Sequence, residues 1–527
     1  MKKTINMLTK IIVISLLLIV SCQNKKMDTV TIQNKTSLIP YQKTKPILDT
    51  SSLHSFFKGH PEFQKFKKEV VVLYQKQQFH YLWFDQKGIK EVGYLLYNKA
   101  TTLSTEGIES KIPYQNELDA VFLDENEKPE ASVELLISCM YFYYVNKVYK
   151  GLAIDKSDEL GWYLPRKKRS YVSYLDSILE KPSLINKDEK EISGQYYRLR
   201  EFLKKYRLLG KNPWKNIEID SGTTTFKIGD SAQSIAQIRK RLFLLDDISS
   251  DSNSAIYDTF LSEGVVRYKI RNGLGATTTI SKQLVLHLNV TIAQRIKTII
   301  VNMERCRWFS KPITTDKRFI FINIPSYQLR FFENEKIVLE SKVVVGKSAH
   351  KTVVFSADMK YIVFSPYWNI PKNIMNKEIV PAINKNPNYL SQHDMEWHNG
   401  IIRQKPGPKN ALGKVKFIFP NSNAIYLHDT PSKSLFVRDK RAFSHGCIRL
   451  EKPAALAQLI LKNDPKWSTE KIGKAMSSGV EKWYALPQPI PVYIGYFTAW
   501  VTQDGRIHFY DDIYHRDEQL SNMLLED

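Results

Sequence analysis

The sequence predicts an α+β multidomain protein, in which a helical scaffold and a small three-helix module lead into a β-rich C-terminal domain. Three observations carry this expectation. A chain of 527 residues exceeds the usual size of one domain and calls for several cores. Up to residue 308 the apolar residues recur mostly at threes and fours, the period of helices with a buried face. Beyond it they alternate in twos, the period of strands.

At the N-terminus, Met1-Lys2-Lys3 and Lys10 precede an apolar run at residues 11–20, interrupted only by Ser15. That run is short for a membrane span and reads as an export signal. It ends in Ile19-Val20-Ser21-Cys22, which resembles the lipobox of bacterial lipoproteins, so residues 1–22 are expected to be a signal peptide that leaves Cys22 lipid-modified. The alternative is an ordinary signal peptide with an incidental cysteine. Residues 23–50 are rich in Lys, Gln, Thr and Ser without periodicity, the composition of a flexible tether. The expected place of action is the periplasmic side of a bacterial envelope, with the chain anchored to a membrane.

Of four cysteines, Cys139 and Cys306 lie in apolar or helical stretches. They are expected to be packed thiols, with one bridge between them left open, because a chain this long buries ample core without disulfides. The net charge of +23, from 77 Lys plus Arg against 54 Asp plus Glu, suggests a polyanionic neighbourhood. The basic residues are scattered, with short clusters such as Arg166-Lys167-Lys168-Arg169, and no nucleic-acid-binding signature accompanies them. Anionic cell wall and phospholipid surfaces are the expected partners, and most of these charges are simply solvated.

Residues 51–222 form the predicted scaffold: Phe63, Phe66, Val70, Leu73 and Tyr74 mark one helix face, and residues 131–149 a second amphipathic run. Aromatic groups such as Tyr81-Leu82-Trp83 are expected in its core. Residues 223–290 read as three short helices. The first is expected to be capped by Asp230 with Gln233 completing a capping box, and Ile235, Ile238, Leu242 and Leu245 on one face. The other two span residues 260–270 and 281–288. This module resembles the peptidoglycan-binding domain found beside wall enzymes, although Tyr268-Lys269 stands where that family shows Phe-Gln, and a plain helical linker is the alternative. A connecting helix is expected at residues 291–312.

In residues 313–527, strands are predicted at 318–324, 328–333, 337–345, 352–355, 360–364, 414–419, 424–428 and 492–501, with Glu333-Asn334-Glu335-Lys336 turning a hairpin. Residues 371–413 interrupt them with a helix-like stretch at 377–384 and a Pro- and Gly-rich turn at 405–413. An insertion of this length beside a catalytic strand is a candidate lid.

The chemistry concentrates in Ser444-His445-Gly446-Cys447-Ile448-Arg449-Leu450 and the preceding Ile425-Tyr426-Leu427-His428-Asp429-Thr430. A thiol attacks carbonyls poorly until a base or positive field favours the thiolate, and His428 and Arg449 can supply both. A buried structural cysteine is the plain alternative, but the run around Cys447 is polar for a core. By strand alternation Ile425 and Leu427 face the core while Tyr426 and His428 share the other face. His428 precedes His445 by 17 positions (445 − 428) and Cys447 by 19 (447 − 428), enough to bring strand and loop together. Zinc held by His428, His445 and Cys447 is conceivable, but no paired metal-ligand spacing supports it.

These residues resemble the signature of the L,D-transpeptidases, whose catalytic unit is the YkuD-type domain. Phe321-Ile322-Asn323-Ile324-Pro325, Pro366-Tyr367-Trp368-Asn369-Ile370-Pro371 and Lys405-Pro406-Gly407-Pro408-Lys409-Asn410 are similar to the long, scaffold-bearing YcbB-like branch. Where that branch has Arg-Trp-Arg-Trp, this chain has Arg305-Cys306-Arg307-Trp308, a difference expected to bear on packing. The resemblance implies acyl transfer on peptidoglycan stem peptides, without cofactor or metal, in cell-wall biogenesis. Cys447 would be the nucleophile, and His428 would take and return the proton, oriented by the main-chain carbonyl of Asp429. Backbone N–H groups around Gly446 and Cys447 would bind the oxyanion, with Tyr426, Trp368, Ser444, His445 and Arg449 contacting substrate. A tetrapeptide donor would lose D-alanine, and an amine of a second stem would complete a 3→3 cross-link; carbapenems would acylate Cys447. An exported Cys-His peptidase or amidase would use the same dyad with water as acceptor. A wall-binding lipoprotein without activity would keep only the fold. No motif speaks to oligomeric state.

Overall fold

The computed structural model describes residues 46–123, 129–164, 166, 170–186, 192–219, 222–309 and 316–526. The expected signal peptide, Cys22, most of the tether and Lys167-Lys168-Arg169 lie outside these residues.

The scaffold is built around the helix Ala131–Val145. Twelve consecutive residues from Glu134 to Val145 are buried, so this helix is apolar on all sides and runs through the middle of the domain, where the sequence pattern suggested one buried face. Its one carboxylate, Glu134, accepts from the Leu82 and Trp83 amides at 2.5 and 3.2 Å and from the Tyr74 hydroxyl at 2.8 Å. Burial pushes the Glu134 carboxyl up to about 7. The Trp83 indole donates to Ser138 at 2.7 Å, so Tyr81, Leu82 and Trp83 are core residues as expected. Phe63, Phe66, Val70, Leu73 and Tyr74 are all buried, split between a 3₁₀ turn at Pro61–Phe66 and the helix Lys67–Lys76.

Three helices follow: Gln233–Leu244, Thr259–Arg271 and Lys282–Leu288. The expected cap at Asp230 is corrected. Its carboxylate accepts from the Lys227 amide at 2.7 Å, and Ala232 occupies the cap position of the first helix. The capping box belongs instead to the next helix, Ile292–Arg307, where Thr291 and Gln294 satisfy each other's backbone.

That helix is the join of the molecule. Glu304 accepts from the Leu152 amide (2.7 Å), the Trp308 indole (2.7 Å) and Arg307 (2.8 Å), and both members of the Glu304–Arg307 pair are nearly inaccessible. Arg307 also donates to the Val148 and Glu106 carbonyls and the Tyr196 hydroxyl, all in the scaffold. Gly151, at φ +65°, leaves the space Glu304 fills; a Cβ there would lie 2.2 Å from the carboxylate. On the C-terminal side Arg305 pairs with Asp517 at 2.6 Å, and Asn302 exchanges bonds with Thr498. Cys306 and Cys139 are both free and buried, and the bridge between them is not formed.

The C-terminal domain holds a nine-stranded mixed sheet whose ladder runs round on itself. The long strand Lys336–Gly346 pairs through its first residues with Gln328–Glu333 and through Val343 and Val344 with Ile448–Leu450. The predicted hairpin is present, with Asn334 and Glu335 both at positive φ as its turn requires. Two strands predicted apart, near 352 and 360, form one strand, Phe355–Phe364, while Val415–Ile418 pairs with it and with Leu427–His428. The insertion at 371–413 packs Ile379 and Ile402 with the preceding Ile370 in a small core of their own. It adds a hairpin, Met395–His398 with Ile401–Gln404, that pairs back onto Trp368–Asn369.

Replacing Glu304 with Ala leaves the Arg307 guanidinium buried without its carboxylate. This is expected to cost about 3–5 kcal/mol in unfolding free energy. Urea or thermal unfolding measures it, and a loss below about 1 kcal/mol, the scale of an exposed ion pair, contradicts the hub.

Candidate active site

The strands Leu427–His428 and Ile448–Leu450 run parallel, with Leu427 opposite Ile448 and His428 opposite Arg449. Cys447 immediately precedes the second strand. Its turn is closed locally: Ser444 Oγ accepts from the Gly446 amide at 3.2 Å and donates to the Cys447 carbonyl at 2.6 Å. Gly446 sits at φ +117° with open space where a Cβ would be, so backbone conformation alone requires glycine. From below, Thr352 Oγ1 donates to the Gly446 carbonyl at 2.8 Å and accepts from Gly346 at 2.9 Å. The Tyr514 hydroxyl accepts from Thr352 and donates to Gly346.

His428 is buried, and its Nδ1 meets the Asp429 carbonyl oxygen at 2.5 Å. A carbonyl only accepts, so Nδ1 carries the proton and Nε2 is left as the basic nitrogen. The carbonyl is aimed by the rest of Asp429. Its carboxylate accepts from the Lys414 amide at 2.9 Å and from Lys433 Nζ at 2.6 Å. It also packs on Gly413, where φ is +61° and a Cβ would approach within 2.4 Å of it. Burial, with the Arg449 and Lys416 charges, drives the His428 imidazole down to about 3 against the partial support of Asp429. The ring is neutral at ordinary pH.

Cys447 is half-buried, and its Sγ lies 3.7 Å from the Ala424 carbonyl. Burial raises its pKa, while the Tyr426 amide and hydroxyl and the Arg449 charge pull the other way. The Tyr426 ring lies 5.7 Å from that of His428, and burial and the nearby Cys447 raise its hydroxyl pKa while Trp368 acts to lower it. Arg449 is half-buried and its own pKa is lowered by burial, with a thiolate at Cys447 acting to raise it.

The structure thus brings together Cys447, His428, Asp429, Tyr426, Trp368, Ser444, Gly446 and Arg449. Two expected roles change. Ser444 is 2% exposed with both hydrogen-bonding roles engaged in the turn, so it holds the loop and does not meet substrate. The Gly446 N–H, expected to face an oxyanion, is given to Ser444. His445 turns outward to the insertion, 2.8 Å from Glu378, with its ring 5.2 Å from His350. Thr352, Tyr514, Gly413 and Lys433 escaped the sequence reading. Only Lys433, four residues after Asp429, left a local signal.

Residues 317–467 match the YkuD L,D-transpeptidase catalytic domain, and residues 68–203 match a scaffold domain. A protein of Haemophilus influenzae described as a putative L,D-transpeptidase is 34% identical over 223 residues, 38% of this chain and 45% of that one. The chain therefore spans less than half the length of that curated relative. Solved structures with likeness include an L,D-transpeptidase from Mycobacterium smegmatis (10% identity, TM-score 0.20, 34% of this chain and 58% of that one). Another is an L,D-transpeptidase from Stackebrandtia nassauensis (12%, TM-score 0.23, 52% and 96%). At those scores neither adds to the argument.

With a raised thiol and a lowered imidazole, the resting pair is neutral. Alkylation of Cys447 by iodoacetamide, followed by peptide mapping, should therefore quicken steadily to pH 9 and above without a plateau near neutrality. Arg449→Met should slow it at any pH below the titration, because losing the positive charge raises the thiol further. A plateau near neutrality would mean a preformed thiolate and contradict this electrostatic balance.

Proposed function

Since residues 317–467 form an L,D-transpeptidase catalytic domain of the YkuD type, we propose that this chain forms 3→3 cross-links between peptidoglycan stem peptides by acyl transfer through Cys447. One observation carries the residue assignment. The Asp429 carbonyl holds the His428 proton on Nδ1, leaving Nε2 basic on the strand paired with the one that Cys447 opens.

In this reading the donor's third-residue carbonyl enters over Cys447. As Sγ attacks, His428 Nε2 takes the thiol proton, so charge forms only together with the new C–S bond. The Tyr426 hydroxyl and Arg449 offset the partial negative charge on sulfur as its proton leaves, and the Cys447 N–H serves the oxyanion. One such donor typically contributes about 2.7–4 kcal/mol. The C–N bond to D-alanine breaks as His428 returns the proton to the leaving amine. An acceptor amine then attacks the thioester, loses its proton to Nε2, and sulfur leaves to be reprotonated. A positioned general base of this kind is worth about 10²–10⁴ in rate.

The insertion at 371–413 acts as a lid in this proposal. It has its own core and touches the Cys447 loop through Glu378 and His445, which supports a body able to move as a unit and close on the site. The wall substrate places the chain outside the cytoplasm, and we assign its tether to a lipid on Cys22. Cys22→Ala should then move the protein from the membrane fraction to the soluble one; unchanged fractionation would remove the anchor.

Incubation of the native chain with disaccharide-tetrapeptide is expected to yield cross-linked dimer and free D-alanine by mass spectrometry. Cys447→Ser should abolish both while leaving the fold intact, and should also lose the carbapenem adduct expected on Cys447 of the native protein. Tripeptide alone as product would favour the hydrolase reading. Wild-type turnover by the Ser variant would overturn the nucleophile.

A further inference from the structure

The pairing registers place the reactive histidine in a row that crosses the sheet. His428 lies opposite Arg449 on one side and Lys416 on the other; Lys416 lies opposite Val363, and Val363 opposite Trp483. Cross-strand partners project to the same face. The neighbouring row, Leu427, Phe417 and Ile362, is wholly buried in the main core, so the His428 row belongs to the other, reactive face. Three inter-strand steps of roughly 4.8 Å put Trp483 about 14 Å from His428, and a fourth reaches the strand that Cys447 opens, about 19 Å away.

Trp483 is 53% exposed, yet it is held in place. Its Nε1 donates to Glu481 at 3.0 Å, the Tyr361 ring stands edge-on at 6.1 Å, and Lys416 Nζ reaches across Val363 to within 5.3 Å of the indole centroid. The other oxygen of Glu481 accepts from the Tyr367 amide at 2.8 Å, next to Trp368. A fixed, half-open indole flanked by an ammonium and a carboxylate suits a sugar ring. The ring's C–H face lies on the π-surface while its hydroxyl and acetamide groups bond to the polar flanks.

We propose that Trp483 is a glycan platform that seats the amino-sugar end of the donor in line with His428 and Cys447. This rests on the acyl-transfer reading. The spacing supports it, because the reacting carbonyl is that of the third stem residue, and three extended residues span about 10–11 Å. The lactyl ether and the sugar ring at the head of the stem extend that reach over the remaining distance to the indole.

The test compares the full chain and its variants on disaccharide-tetrapeptide and on the free tetrapeptide. Trp483→Ala should raise KM for the glycosylated donor by roughly three- to tenfold. It should leave kcat, and the KM for free tetrapeptide, unchanged, and Trp483→Tyr should restore most of the loss. Titration of peptide-free glycan fragments onto the Cys447→Ser chain should show binding that disappears on adding Trp483→Ala. Equal changes on both donors, no change on either, or glycan binding indifferent to Trp483 would overturn the platform. If the native chain consumes neither donor while glycan still binds through Trp483, the acyl-transfer reading fails and the binding site stands apart from it.

Discussion

The parallel pairing that sets Leu427 opposite Ile448 and His428 opposite Arg449 is the constraint on which the reactive face depends. Strand side chains alternate, so a slip of one residue would send His428 into the core and bring Leu427 out. Burial forbids that slip, because Leu427, Ile448, Phe417 and Ile362 are all fully enclosed in the core. The apolar core side of the sheet thereby sets the other side, where Arg449, His428, Lys416, the buried Val363 and Trp483 share one row.

Electrostatics on that row oppose the simplest picture of a cysteine nucleophile. Arg449 favours a thiolate, but burial of both groups favours the uncharged pair, and burial is the larger effect on each. The two cations beside His428 add to its neutrality. In such a site the resting thiol is protonated and the imidazole uncharged, with the ring proton held on Nδ1 by the Asp429 carbonyl and Nε2 left as the unprotonated nitrogen. Asp429 contributes through its backbone, and its carboxylate serves to aim that backbone.

Reactive residues need a rigid support, and here the support is layered. Thr352 and Tyr514 fasten the Cys447 turn to the end of the Lys336–Gly346 strand. Tyr514 leads into the C-terminal helix Arg516–Glu526, whose Asp517 pairs with Arg305. Two turns of the helix Ile292–Arg307 thus face the catalytic domain with Asn302 and Arg305 and the scaffold with Glu304 and Arg307. The Arg305-Cys306-Arg307-Trp308 run, flagged in the sequence only as a matter of packing, is the charged seam between the two.

The sequence by itself determined whatever depends on a few consecutive residues. It showed the two motifs that carry His428 and Cys447, the shared face of Tyr426 and His428, the hairpin at Asn334 and Glu335, and the change from helical to strand period. Those properties follow from backbone geometry and side-chain alternation, which act within one turn or one strand. Only the tertiary structure decided that Ala131–Val145 is enclosed on every side, that Asp230 serves a turn and not a helix, and that Ser444 spends both hydrogen bonds inside its own loop. It also decided that Thr352 and Tyr514 stand beneath Cys447, and that Trp483 shares a row with His428. Such pairings join residues far apart in the chain. They are chosen by which faces the whole fold can bury, and no local pattern encodes that choice.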